Sequence, residues 1–448
     1  MGVVQWIINN ILTQAAILIS LIAMLGLIVQ KKKIGEVLSG TLKTLLGFEV
    51  LSAGSTIIQQ SLAYFAVVFQ HGFHTTGIVP SIEAINGQAM NKLGLGNDIA
   101  LTLLGIFIIN ILIARFTKWK YVFLTGQALL WMATMTVIGG HFAGLKGFTL
   151  IALGSVIGGI FAVLMPALTQ PIVRKITGNN SIALGHFCSL GYLVEAGVAW
   201  LVRDRKVDQN VTKLKDRTDS WEKVKLPKSL SFLQDNSLSI MVVMVPLYII
   251  TAALAGPYWS VKASAAAGGL AIGQTNYIIY AFLQAIEFTV GVYVMLAGVR
   301  LMLGEIVPAF RGIALKIVPN AIPALDCPVL FPYAPNSVII GFITTTIGTM
   351  IGMFTTPLLG LAVILPGMTS NFFAGGTAGI FGNAVGGKRG AVIGGIVHGL
   401  FITLLPALLV VALSKVGFVN ATATDVDTIT AALIYLWIIA PVLNGIHA

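Results

Sequence analysis

Asp326 is the one acid in the run "NAIPALDCPVLFPYAPN", where it stands among four prolines in a chain that is only 10% charged. Proline lacks a backbone N–H and stops a helix. A carboxylate at the bilayer centre costs about 2.5–3.5 kcal/mol even on the lenient insertion scale. Irregular backbone at membrane depth is tolerated only where it is buried in protein or lines a watery cavity. A break and a charge together therefore point to a polar cavity, with a kink whose Asp326 bonds inside the protein as the other reading. Further polar groups stand at interruptions of apolar runs: Ser55 in "LSAGST", Glu83 in the polar stretch 74–97, Thr125 and Gln127 in "LTGQALLW", His186 in "ALGHFCSLGY", and Met368 and Thr369, with Ser370, in "LPGMTSNFF". Hydroxyl, amide, imidazole and carboxylate groups offer many donors and acceptors and little fixed charge. That set suits a polyhydroxylated ligand, each OH of which needs a partner.

Glu195 and Glu287 lie in apolar surroundings, as intramembrane acids or helix-end contacts. Glu49 and Glu305 stand near basic residues that can pair with them. The two cysteines, Cys188 and Cys327, fit no metal spacing and make no disulfide framework. They are expected as buried thiols, with no metal, no cofactor and no catalytic residue on this chain. A G-x-x-x-x-G-K-[ST] loop is absent, which excludes an ATP-driven pump built on this chain.

The elements that must position these groups are membrane helices. Of 448 residues, 56% are hydrophobic, whereas a soluble domain carries about 25% charged residues. The apolar runs reach the roughly 20 residues a spanning helix needs, and period-two alternation is missing, which argues against an outer-membrane barrel. Spans are expected near 8–30, 36–73 (interrupted at Ala53-Gly54-Ser55), 98–114, 121–139, 149–170, 237–256, 276–299, 337–363, 391–413 and 428–445. A helical hairpin is expected over 176–202 and a broken segment over 300–336.

The net charge of +11 is spread in short clusters between spans, as the positive-inside rule expects, and nucleic acid is discarded as a partner. With every cluster inside, the N-terminus lies outside, the C-terminus is cytoplasmic and the crossings number about eleven. Residues 203–228 hold nine Lys/Arg and five Asp/Glu and are expected as a cytoplasmic linker too short to bury a core. The chain then divides into a first membrane repeat (1–202), the linker (203–236) and a second repeat (237–448). A weak echo joins Gly35-Glu36 and Ser55 to Gly304-Glu305 and Asp326. Broken segments at matching places in two halves are the usual pointer to a transporter site.

The blocks "LLGFEVLSAGS", "FLTGQALL", "SIALGHF", "AGVRLMLGEIVPAFRGI", "VPNAIPALDCPVLFPYAPNSVIIGF" and "LPGMTSNFFAGGTAGIFGNAVGGKRGA" resemble, in order over about residues 30–445, the ascorbate-specific enzyme IIC of the bacterial phosphotransferase system. The resemblance implies an all-α protein of the bacterial inner membrane. It implies eleven transmembrane segments, two inverted repeats with re-entrant hairpins, and a core domain beside a V-shaped dimerisation domain. It further implies a homodimer whose core moves as an elevator, carrying L-ascorbate inward as L-ascorbate 6-phosphate. The phosphoryl group would come from separate IIB and IIA subunits, so the donor residue is on another chain. Ser55, His186 and Asp326 match the family's binding positions. Gln127 stands where better-known members have His, and Phe187-Cys188-Ser189 where they have Gln residues. These departures are expected to touch the pocket and leave a related sugar acid or polyol as an alternative ligand. An ion-coupled secondary transporter is the alternative of another class.

Overall fold

The computed structural model describes residues 15–74, 77–78, 80, 82–91, 93–204, 213–224, 236–266, 273–418 and 421–442. The fold is helical. α1 spans Ala15–Val29 and α2 Ile34–Gly72. α3 spans Ile82–Asn91 and α4 Gly96–Phe116. α5 covers Gly126–Phe142, α6 Gly147–Thr177 and α7 Ser189–Val202. In the second half α8 spans Asn236–Ala266 and α9 Tyr277–Ile317. α10 covers Pro335–Thr355, α11 Met368–Ser414 and α12 Val426–Ile434. Three short strands complete it: β1 (Tyr121–Phe123), β2 (Ala183–Leu184) and β3 (Ile322–Leu325).

Five helices among the described residues are long and apolar enough to cross a membrane: Gly96–Phe116, Gly147–Thr177, Met244–Ala265, Pro335–Leu359 and Ser370–Ser414. α10 shows why the solvent around them is lipid. Its outward face repeats Ile343, Ile347, Ile351 and Phe354, while Thr344, Thr345, Thr346 and Thr349 are buried. These hydroxyls are satisfied within the protein: Thr344 donates to Ile340 O, Thr346 to Phe342 O, and Thr345 across to Gly395 O of α11. A helix that is apolar outside and hydroxylated inside suits a bilayer, where polar groups must be paired in the protein.

Packing gathers α1, α2, α8 and α9 into one group and α4–α7 with α10–α12 into another, with α2 lying along α9 and α10 along α11. Aromatic contacts seal the first group: Tyr64 and Phe65 both stack on Tyr248, and Ser61 Oγ lies 2.9 Å from the Tyr248 hydroxyl.

Several expected boundaries move. The interruption at Ala53-Gly54-Ser55 does not occur, because α2 runs through it without a break. One glycine costs a helix about 1 kcal/mol, which the packing of a 39-residue helix on α8 and α9 overrides. The echo between halves fails in register too: Gly35 opens α2, whereas Gly304 lies in the last third of α9. The broken segment begins only after Ile317. The run 121–139 opens as a strand, and 176–202 is the end of α6, a strand and a helix rather than a helical hairpin. The last expected span begins as the short helix α12 and continues as a π-turn over Tyr435–Ile439.

The linker is also more than a solvated tether. Residues 213–224 dock on the membrane helices, with Leu214, Arg217 and Ser220 buried. Arg217 pairs with Asp219 at 2.8 Å through two nitrogens and donates to the carbonyls of Ala384 and Val385. Those carbonyls lie just before Gly387, which breaks α11 with φ +63°, a backbone region that favours glycine. Lys388 N–H, beyond the kink, donates to Asp219 O. Glu222 accepts from Ser337 N and Oγ at 2.8 and 2.7 Å and from Asn336 N at 3.2 Å. An acidic side chain thus satisfies the first donors of α10, where a helix N-terminus favours negative charge.

Candidate functional site

Three of the motifs that interrupt apolar runs meet in one small sheet. The order is β1-β3-β2, all parallel. Phe123 pairs with Ala324, and Ala183 and Leu184 with Ala324 and Leu325. Leu124 N–H donates to Ala324 O at 3.0 Å, and Gly185 N–H to Leu325 O at 2.6 Å. Backbone groups freed by the breaks are therefore paired with one another. Being parallel, the strands release Thr125, Gly185-His186 and Asp326 at the same end. Thr125, the N-cap of α5, donates its hydroxyl to Gly185 O at 2.6 Å. A side chain at Gly185 would meet Ala324 O at 2.5 Å, so only glycine permits this approach. Asp326 is half-buried, and its Oδ1 accepts from Cys327 N–H at 2.8 Å as cap of a 3₁₀ turn.

His186 is buried at the centre of the cluster. Cys188 N–H donates to its Nδ1 at 3.2 Å, and the Tyr192 hydroxyl lies 3.3 Å from the same nitrogen and 3.4 Å from Cys327 Sγ. In the neutral ring Nδ1 is then the acceptor, and the Nε2 proton faces Asp425 Oδ1 at 3.9 Å. Tyr192 also stacks on His398, with centroids 5.3 Å apart. One turn further along α7, Glu195 is fully buried against Gly382 and Gly394 of α11.

The segment before α12 closes the other side. Asp427 is fully buried and accepts from Ser189 N and Leu190 N, each at 2.9 Å, while its own N–H donates to Phe187 O at 2.8 Å. It caps α7 from a distant part of the chain and pins the loop that carries His186. Asp425 and Thr424 lie against Cys188, whose Sγ is 3.6 Å from Asp425 Oδ1 and 3.7 Å from Thr424 O. Ser370, at the start of α11, bonds Thr424 Oγ1 at 2.6 Å. The polar stretch after α2 also reaches the segment ahead of α11, since Ile78 N–H donates to Val363 O and Leu365 N–H to Ile78 O.

The structure thus brings Thr125, His186 and Asp326 together, and places Gln127 in the first turn of α5, the helix that Thr125 caps. The backbones of Ser55, Glu83, Met368 and Thr369 lie in α2, α3 and α11, but their side chains fall outside the described residues. The departure at Phe187 falls on a side chain packed in the core. Its ring is fully buried and stacks on Phe123 at 4.5 Å, so it fills the apolar core. Sequence reasoning missed Tyr192, His398, Asp425 and Asp427. The pair of acids in "TATDVDTIT" was the available signal, two charges just ahead of an apolar run.

Buried imidazole, hydroxyls and carboxylates around the ends of three strands, with no phosphate-cradling loop in the sequence, make a site that can hydrogen-bond a polar solute. The "Ascorbate-specific PTS system EIIC component" of Mycoplasma pneumoniae is 25% identical over 434 residues, covering 86% of this chain. The chain spans 63% of that relative's length. Residues 10–427 match the family described as the sugar-specific permease component of PTS systems, and with nearly the whole length matched the chain belongs to that family of membrane permeases.

Proposed function

We propose that this chain is the translocating IIC subunit for L-ascorbate, carrying it inward across the bacterial inner membrane and delivering it as L-ascorbate 6-phosphate. The observation that carries the proposal is the convergence of Thr125, Gly185-His186 and Asp326 at one end of a buried parallel sheet. Ascorbate presents hydroxyls and an enediol, and hydrogen bonds to charged partners are worth about 1.5–3 kcal/mol each. The Asp326 carboxylate serves as acceptor for ligand hydroxyls, and His186 and Thr125 lie beside it. The phosphoryl group comes from a separate IIB subunit recharged by IIA. Each chain crosses the membrane about eleven times and works in a homodimer, in which the group holding the sheet moves as an elevator against α1, α2, α8 and α9. The sparse packing between those two groups supports that division.

Uptake of labelled ascorbate by cells expressing this chain tests the proposal, with and without the IIB subunit. Accumulation of a phosphorylated product that requires IIB is expected. Uptake independent of IIB, or accumulation of unmodified ascorbate, refutes it in favour of an ion-coupled carrier. IIB-dependent uptake of a polyol but not of ascorbate corrects the substrate alone.

A further inference from the structure

We propose that the cluster around His186 is also a binding site for a thiophilic divalent cation of the Zn2+ type, ligated by His186, Cys188 and Asp425. The ligating atoms of these three residues lie within 4.8 Å of one another. Cys188 Sγ is 3.6 Å from Asp425 Oδ1, which is 3.9 Å from His186 Nε2. A tetrahedral zinc with bonds of about 2.0–2.3 Å sets its ligands about 3.3–3.8 Å apart, so these two edges are close to those required before any ion enters. A second trio, His186 with Asp326 and Cys327, shares the imidazole.

Hydroxyl recognition does not explain two buried thiols at this place. A thiol is a weak hydrogen-bond donor, but as thiolate it is a strong ligand for a soft cation. Charge balance favours the same assignment: a dication with one thiolate and one carboxylate sums to zero, so the occupied site carries no net charge into a low-dielectric interior. Binding releases the Cys188 proton. Ligation through Nε2 moves the ring proton to Nδ1, where the Tyr192 hydroxyl at 3.3 Å accepts it and the 3.2 Å contact from Cys188 N–H, a second donor, is given up. Three protein ligands leave one position open, the pattern of an exchangeable rather than a structural zinc. The cation takes the imidazole that the transport reading assigns to the sugar, so its effect on uptake, though not its binding, rests on that reading.

Reduced full-length protein in detergent is titrated with Zn2+ against a chromophoric chelator, and anaerobically with Co2+. One equivalent per chain is expected, with a thiolate-to-cobalt charge-transfer band. Cys188→Ser abolishes the band and weakens Zn2+ by about 100-fold or more, since even outer-shell changes cost 10- to 100-fold. Mg2+ does not compete. Asp425→Asn gives a similar loss; elution as a single species shows whether each variant is folded, and Cys188→Ser, the nearly isosteric change, carries the test. No stoichiometric zinc in the unmodified protein, unchanged affinity in Cys188→Ser, or competition by Mg2+ overturns the proposal. None of these readouts needs transport, so their failure is distinct from failure of the ascorbate assignment.

Discussion

Replacing Asp427 by Asn probes the brace that holds the site together. The carboxylate accepts two backbone N–H bonds at 2.9 Å, from Ser189 and Leu190, at the first residues of α7. Asn keeps one oxygen and turns an NH2 group toward the other N–H, leaving a buried donor facing a donor. One charge-assisted bond, worth about 1.5–3 kcal/mol, is lost. The favourable charge at the helix N-terminus, worth about 0.3–1 kcal/mol, goes with it. Asp427 is fully buried, so screening does not reduce these figures, and a destabilisation of about 2–4 kcal/mol follows. The backbone bond from Asp427 N–H to Phe187 O survives, so the loop loosens without being released. Unfolding in mixed micelles measures the stability, and ascorbate binding to the same preparation measures the site. Both are expected to fall. Unchanged stability within about 0.5 kcal/mol, less than one ordinary hydrogen bond, refutes the bracing argument. Lost affinity at full stability places the carboxylate on the ligand instead.

Two further substitutions test the neighbouring claims. Glu222→Gln weakens three bonds to the start of α10. It should destabilise by about 1–3 kcal/mol and open the 213–224 segment to limited proteolysis; a variant as resistant as the parent refutes docking by the carboxylate. Asp326→Asn retains the Oδ1 cap on Cys327 N–H while removing charge, so ascorbate affinity should fall by about tenfold to 150-fold with a near-normal phosphorylation rate at saturation. A saturating rate lowered by about 10²-fold or more would instead make Asp326 a general base.

The chemistry of the site was more legible in the sequence than its architecture. Prolines and a lone acid in "NAIPALDCPVLFPYAPN" mark a break whatever the fold, because missing donors and buried charge are local facts. The strands that break supports are two to four residues long, too short for period-two alternation to show, and their pairing is non-local. Ala53-Gly54-Ser55 misled in the opposite direction: local helix weakness predicted an interruption that packing against α8 and α9 removed. Cys188 and Cys327 are 139 positions apart in the chain, so spacing rules had nothing to read, yet both lie against the His186–Tyr192 pair. Composition marks 203–228 as a charged linker but cannot show that Arg217 ends on two backbone carbonyls of α11.

The strand order carries a mechanical consequence. β1 and β2 come from the first half of the chain, and β3, from the second half, lies between them. Among the described residues each outer strand has β3 as its sheet neighbour, so the inserted strand joins the turns that carry Thr125, His186 and Asp326. The Thr125 hydroxyl reaches past β3 to Gly185 O, a contact that exists only when both outer strands are seated. Asp427 adds a second tie between the halves at α7. Relative sliding of the two halves at this point would break bonds in a low-dielectric interior, where each unpaired backbone group is costly. Any movement that carries the site across the membrane must therefore take Thr125, His186 and Asp326 together as one body. In the proposed elevator the compliance therefore lies between the group holding the sheet and the bundle of α1, α2, α8 and α9, whose mutual packing is sparse.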